Sequence, residues 1–396
     1  MAAGALALVA ALGAGLVRLG WSLPGPFPGW AARHGPLLVS GFLGTLIGLE
    51  RAVGLGRRWA YGAPVLAACG SLALLAGGLL PAGAAGSSGS GAFPAGLLLR
   101  AAPWLYSASG LVLTAAFGTI YRIRPSLPVL VMGTGALAWA VGNGVWAAGE
   151  PLARAVPWWA GFLVLTIAGE RMELAHIRGS SGGAAAGIGV LAAGMALSLG
   201  SVRAGAAVAG AGMVLLSLWL LRRDLAWRTV RQPGLARYIA ICLLLGHGWL
   251  GIGGLMWLAW APRFGAGPWY DAMLHAVFVG FVMSMIFGHA PVIFPAVLGG
   301  SVRFGRLFYG PLALLHASLA LRVAGDLGPS PLRAWGGLLN VAAIALFLVQ
   351  MAASVRHGVA GPGPVERAQT AGRIAPRIGG SERAGHAPLR RPGAGP

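Results

Sequence analysis

The sequence predicts an all-α, polytopic membrane protein of about twelve transmembrane helices. Three observations carry this. The 396 residues are 57% apolar and only 10% charged, whereas a soluble domain carries about 25% charged residues; a water-soluble globular enzyme is excluded. The same hydrophobicity excludes a disordered chain. The apolar residues also run in continuous stretches of the length a bilayer crossing needs. An outer-membrane barrel would instead show alternating ten-residue strands.

Taken in order, the apolar spans are roughly 3–21, 35–54, 60–81, 101–121, 127–148, 154–174, 183–201, 204–221, 237–260, 271–295, 305–325 and 333–354. The first lacks a basic start and a clear cleavage site, so it reads as a helix rather than a signal peptide. Residues 82–93, built around Gly-Ser-Ser-Gly-Ser-Gly, read as a flexible external loop. Residues 1–355 form a single transmembrane domain, and 356–396, with seven arginines among Gly, Pro and Ala, read as a disordered tail.

The net charge of +20 does not signal nucleic-acid binding. All 29 basic residues are arginine, and they sit singly or in pairs in loops rather than along one solvated face. Twelve spans place 21 of them on the side of both termini and 8 on the other. By the positive-inside rule, both termini are cytoplasmic, in a bacterial inner membrane. Cys69 and Cys242 both fall in apolar runs and read as small core residues. No CxxC or CxxCH occurs, so neither a zinc ribbon nor covalent haem attachment is supported. Without lysine there is no Walker-type phosphate loop.

The even-numbered spans are related. Span 2 reads GFLGTLIGLER from Gly41, span 6 reads GFLVLTIAGER from Gly161, and span 10 reads GFVMSMIFGHA from Gly280. The offsets are 120 and 119 residues without gaps. Glu50-Arg51 and Glu170-Arg171 correspond, with His289-Ala290 in the third copy. This spacing suggests three four-helix units, about 1–121, 122–240 and 241–355, related by pseudo-threefold rotation.

An ionisable residue within a span is costly and usually faces the bundle interior with a partner. His34 opens span 2 and His275 lies one turn into span 10, at similar depth near the external face. His247 and His316 lie near mid-membrane, and His289 lies deeper toward the cytoplasm. His275 and His289 are 14 residues apart, about 21 Å along a helix, so they cannot share a metal. Neutral imidazole is a ligand for haem iron or copper, and a bis-imidazole haem needs two helices presenting histidines at equal depth. His34 and His275 meet that condition; His289, His247 and His316 are candidates for a second centre or a ligand pocket. The alternative is helix-packing histidines bonded to backbone or hydroxyls. Glu50, Arg51, Glu170 and Arg171 read either as a proton path or as helix-end ion pairs. Asn143 and Asn340 read as interhelical glue. The tryptophans, including Trp158-Trp159 and Trp257-Trp260, read mainly as interface belts.

The stretches RHGPLLVSGFLG (33–44), AGERMEL (168–174) and LHAVFVGFVMSMIFGHAP (274–291) resemble the NnrS family, twelve-span bacterial membrane proteins described as containing haem and copper and linked to the nitric oxide response. The resemblance implies haem b, with copper, on His34, His275 and His289. The family's early motif carries two histidines where this chain has one, and Ala290-Pro291 stand where the family has an arginine. The topology also resembles the large subunit of haem–copper oxidases, whose low-spin haem hangs between the second and tenth helices. The copper site which that family builds from its sixth and seventh helices has no counterpart here beyond His176.

Two functions follow. One is a haem-binding, and copper-binding, membrane protein that senses or acts on nitric oxide or a related diatomic or redox species. The other is a cofactor-free transporter or channel using intramembrane Glu and His.

Overall fold

The computed structural model describes residues 1–80, 92–174, 182–298, 301–328 and 331–356. Among them, ten helices are long and apolar enough to cross a bilayer, and two further apolar helices are shorter. In chain order they are α1 (Ala2–Arg18), α2 (Phe27–Leu55), α3 (Arg58–Leu79), α4 (Ala95–Ile123), α5 (Leu127–Ala147), α6 (Leu152–Glu173), α7 (Gly182–Leu197), α8 (Val202–Arg223), α9 (Leu235–Ala259), α10 (Gly267–Phe294), α11 (Arg306–Leu327) and α12 (Leu332–Ser354). The all-α polytopic class therefore stands. The two short helices, α1 and α7, have 17 and 16 residues, about 24–26 Å at 1.5 Å per residue, a little under the hydrocarbon thickness of a bilayer.

Boundaries differ from the spans expected in one informative place. The helix that contains α4 runs from Ala92 to Ile123 and keeps Pro103 in its interior. Arg100, expected in a loop, lies inside it. Of the loop expected at 82–93, residues 82–91 lie outside the described residues, as do the tail from 357 onward and His176. The last residues of the described chain pair with the stretch after α10: β1 (Ser301–Val302) and β2 (Val355–Arg356) form a two-residue antiparallel bridge, with Val302 opposite Val355.

Local sequence explains several ends. Ser126 and Ser201 cap α5 and α8, their hydroxyls accepting from the amides of Val129 and Ala204. Gly56 ends α2 at φ +64°, a left-handed C-cap that a side chain disfavours.

Helix association in lipid depends on close van der Waals packing and small residues, and glycine sets the spacing here. A Cβ on Gly194 or Gly212 would strike the facing backbone between α7 and α8. A Cβ on Gly325 or Gly336 would strike the backbone of Arg333 or Arg322 between α11 and α12. Polar glue adds specificity. Trp139 Nε1 donates to Ser40 Oγ at 3.0 Å, Ser40 donates to Asn143 Oδ1 at 3.0 Å, and Asn143 returns a bond to the Trp139 carbonyl at 2.8 Å. Asn340 donates to Ser318 Oγ at 2.6 Å across α11 and α12.

Two expectations need correction. Trp159 and Trp257 are buried, not at a lipid interface. The Trp257 indole donates to the Met273 carbonyl at 3.0 Å, tying α9 to α10; a buried N–H needs such a partner. Cys69 is exposed on the outer surface of the bundle, and only Cys242 is a core residue.

Helices adjacent in sequence pack side by side, and α12 returns to touch α1. The middle is held by α6 and α10, the two most buried spans, which pack on each other. The related glycines Gly41, Gly161 and Gly280 each sit against a neighbouring helix, facing Ser71, Met195 and Trp249 respectively. Two of the helices that carry them turn π-helical just after a histidine: Leu37–Leu43 follows His34, and Ala276–Met283 follows His275. Such insertions into α-helices are frequent at functional sites.

Candidate functional site

His34 and His275 come together. Their ring centroids are 6.3 Å apart and the ring planes differ by 11°. The Nδ1 of His34 donates to the Ala11 carbonyl of α1 at 2.8 Å, and the Nδ1 of His275 donates to the Asp271 carbonyl one turn back at 2.8 Å. A carbonyl only accepts, so the neutral rings carry their proton on Nδ1 and leave Nε2 as a lone pair. A carbonyl holding the other ring nitrogen in this way orients a metal-binding imidazole. Two imidazoles on one metal, each at about 2 Å, place their ring centres about 6 Å apart. Gly15 permits the approach of α1, because a Cβ there would meet the His34 ring at 3.0 Å.

Both histidines line a cavity of about 490 Å³ bounded by α1, α2, α6, α10 and α12, with residues 151–153 and 265–268 among its walls. That volume is within the range of cofactor sites. The body of the cavity is apolar, with Val39, Val156, Trp159, Phe278, Met283 and Ile344 on its walls. One end is polar and cationic, lined by Arg18, Arg322 and Arg333. Arg322 donates to Asp271 Oδ2 through Nε at 3.1 Å and Nη2 at 2.8 Å. The same carboxylate lies 3.5 Å from His275 Nδ1. Arg333 Nε lies 2.7 Å from the buried Asp326 and its Nη2 lies 3.9 Å from Asp271. Three guanidiniums against two carboxylates leave this end with one surplus positive charge.

The other candidate residues do not line this cavity. His316 is fixed by packing: the Trp249 indole donates to its Nδ1 at 3.0 Å, which occupies that lone pair, and Ser284 Oγ lies 3.5 Å from Nε2. His289, His247, Glu50, Arg51, Glu170 and Arg171 gather instead toward the far ends of α2, α6 and α10. Arg51 pairs with Glu170, and Glu50 lies 3.6 Å from the same guanidinium. Arg171 makes two bonds of 2.9 Å to Asp224, just past the end of α8. Burial alone would raise the Asp224 carboxyl, but the hydrogen bonds and charge of Arg171 outweigh it and hold the group below the usual carboxylate range. His247 Nε2 lies 3.8 Å from Asp224 Oδ2. His289 donates from Nδ1 to the Met285 carbonyl at 2.7 Å, and its buried Nε2 has no partner. Among the described residues no three His, Cys, Asp or Glu side chains group as a metal site.

Sequence reasoning missed Asp224, Asp271, Arg322, Arg333, Asp326 and Arg18. Some signals were present. Asp271 and His275 are spaced i, i+4, as are Arg322 and Asp326, and such pairs share a helix face. Asp224 carried no local signal, because its partners lie on α6 and α9.

Compared with known families, residues 1–356 match the family model described as Domain of unknown function (DUF8744). No curated protein and no solved structure matches the chain.

Proposed function

The chain belongs to the DUF8744 family, and we propose that it is a multi-pass protein of the bacterial inner membrane that binds one haem b between His34 and His275. It serves the nitric oxide response or related redox chemistry, a role supported by the resemblance of residues 33–44, 168–174 and 274–291 to the NnrS family.

One observation carries the haem reading: two imidazoles with near-parallel planes, centroids 6.3 Å apart, both in the Nδ1–H form that leaves Nε2 to ligate. The rest of the cavity fits the group. Its apolar walls suit a macrocycle, and the guanidiniums of Arg18, Arg322 and Arg333 at one end are donors suited to carboxylates. When bound, the iron would supply one-electron chemistry or capture of a diatomic ligand. The chain's own residues hold the rings in one tautomer, exclude water from the apolar part and balance anionic charge at the polar end. His289 remains outside this assignment.

The test is an optical spectrum of the protein purified after expression with haem supplied. A haem Soret band that is lost in the His34→Ala, His275→Ala double variant supports the reading. Absence of the band, or a band unchanged in that variant, overturns it.

A further inference from the structure

A second polar site lies at the opposite end of the same helices. His34 and Glu50 are 16 residues apart on α2, about 24 Å along the helix, and His289 is similarly displaced from His275. Around this end stand Glu50 and Arg51 from α2, Glu170, Arg171 and Glu173 from α6, Asp224 beyond α8, His247 from α9 and His289 from α10. Glu173 is exposed at the helix end and solvated. The remaining groups form one electrostatic network: Arg51 serves Glu170 and Glu50, Arg171 serves Asp224, and His289 interacts with Glu50, Arg171 and Asp224.

Among the described residues here, the three carboxylates of Glu50, Glu170 and Asp224 face the two guanidiniums of Arg51 and Arg171. Both guanidiniums are already committed, and Arg51 is shared by two carboxylates. Two imidazoles complete the group, and three of their four ring nitrogens lack a hydrogen-bond partner. His247 is fully buried, and neither ring nitrogen has a hydrogen-bond partner. The buried Nε2 of His289 also lacks one. A buried polar nitrogen without a partner is costly, and so is an uncompensated buried charge. A proton on His247 Nε2 would add a positive charge and make that nitrogen a donor facing Asp224 Oδ2, 3.8 Å away.

We propose that this cluster is a proton-binding site that holds one exchangeable proton, admitted through Glu50 and shared with His289 and His247. Glu50 supplies the entry, since its side chain is 28% exposed and lines a small cleft with Met1, Leu49 and Ile293. Asp224 stands behind His247 and, held as an anion by Arg171, stabilises the imidazolium form. The proposal is independent of haem binding.

The test uses the full chain in lipid nanodiscs, with histidines labelled by nitrogen-15 and their ring nitrogens followed by solid-state NMR as pH is stepped. The His289 and His247 signals are assigned by their loss in His289→Gln and His247→Gln. In the unsubstituted chain, one of these two rings is expected to pass from neutral to cationic as pH falls, and Glu50→Gln is expected to move that transition by more than one pH unit. Two rings that stay neutral throughout overturn the proposal, as does a transition unchanged by Glu50→Gln. A stoichiometric metal ion that is lost in His247→Gln also overturns it. The unsubstituted chain alone decides if a variant fails to fold. His34 and His275 give separate signals, so failure of the haem reading is distinguishable.

Discussion

Asp271 connects the two halves of the cavity, because its carboxylate pairs with Arg322 and its side chain and backbone both approach His275 Nδ1. Such an outer partner keeps a ligand imidazole in one tautomer and orientation. Asp271→Asn is therefore expected to weaken haem retention by about 10–100-fold, read from dissociation of haem into an excess of a scavenging apoprotein. Arg322→Ala leaves the mostly buried Asp271 without its main cation. It is expected to destabilise the protein by about 3–5 kcal/mol, measured by thermal unfolding in detergent. Asp224 gives a pH signature. Its folded carboxyl is held below the ordinary value, so the stability it contributes is present above about pH 4 and is lost as pH falls through the folded value. Asp224→Asn is expected to be less stable than the parent at neutral pH, and the gap is expected to close below about pH 4. A gap that is constant down to the acid range would contradict the assignment.

At the scale of elements, glycine spacing decides how near the functional side chains come. A Cβ at Gly336 would stand 2.5 Å from the Arg322 amide nitrogen. Gly336→Val is therefore expected to push α12 from α11 and cost about 1–3 kcal/mol, seen as a lowered unfolding midpoint. The helices themselves were legible in the sequence, because continuous apolar length is a strong signal and lipid permits no other spanning structure that these runs could form. The depth match of His34 and His275 was legible for the same reason, since rise per residue and span order fix depth. What could not be read was rotation about each helix axis. Depth therefore left His316 as a metal candidate until its bond with Trp249 appeared, and it left Trp257 at an interface when it faces α10. The π-helical segments after His34 and His275 also carried no sequence signal beyond Pro36, whose missing amide removes one helical bond.

For the whole molecule, two polar sites lie along one pair of helices. α2 and α10 carry the facing imidazoles of His34 and His275 at one end and Glu50 and His289 at the other. The sequence indicated this polarity through arginine placement, 21 on the side of both termini and 8 on the other. That bias predicts both termini in the cytoplasm, so a reporter active only in the cytoplasm should be active when fused to either end. Activity at one end alone would mean an odd number of crossings. The loops that matter most to the cavity, 151–153 and 265–268, then lie on the outer face, opposite the acidic cluster.

The haem proposed between His34 and His275 would be seen in a cryo-electron microscopy map of the full chain, purified from cells supplied with haem. The expected result is planar density between the two rings, joined to both Nε2 atoms and ending at Arg18, Arg322 and Arg333. A cavity filled by lipid or water, with the two imidazoles bonded to other side chains, would contradict it.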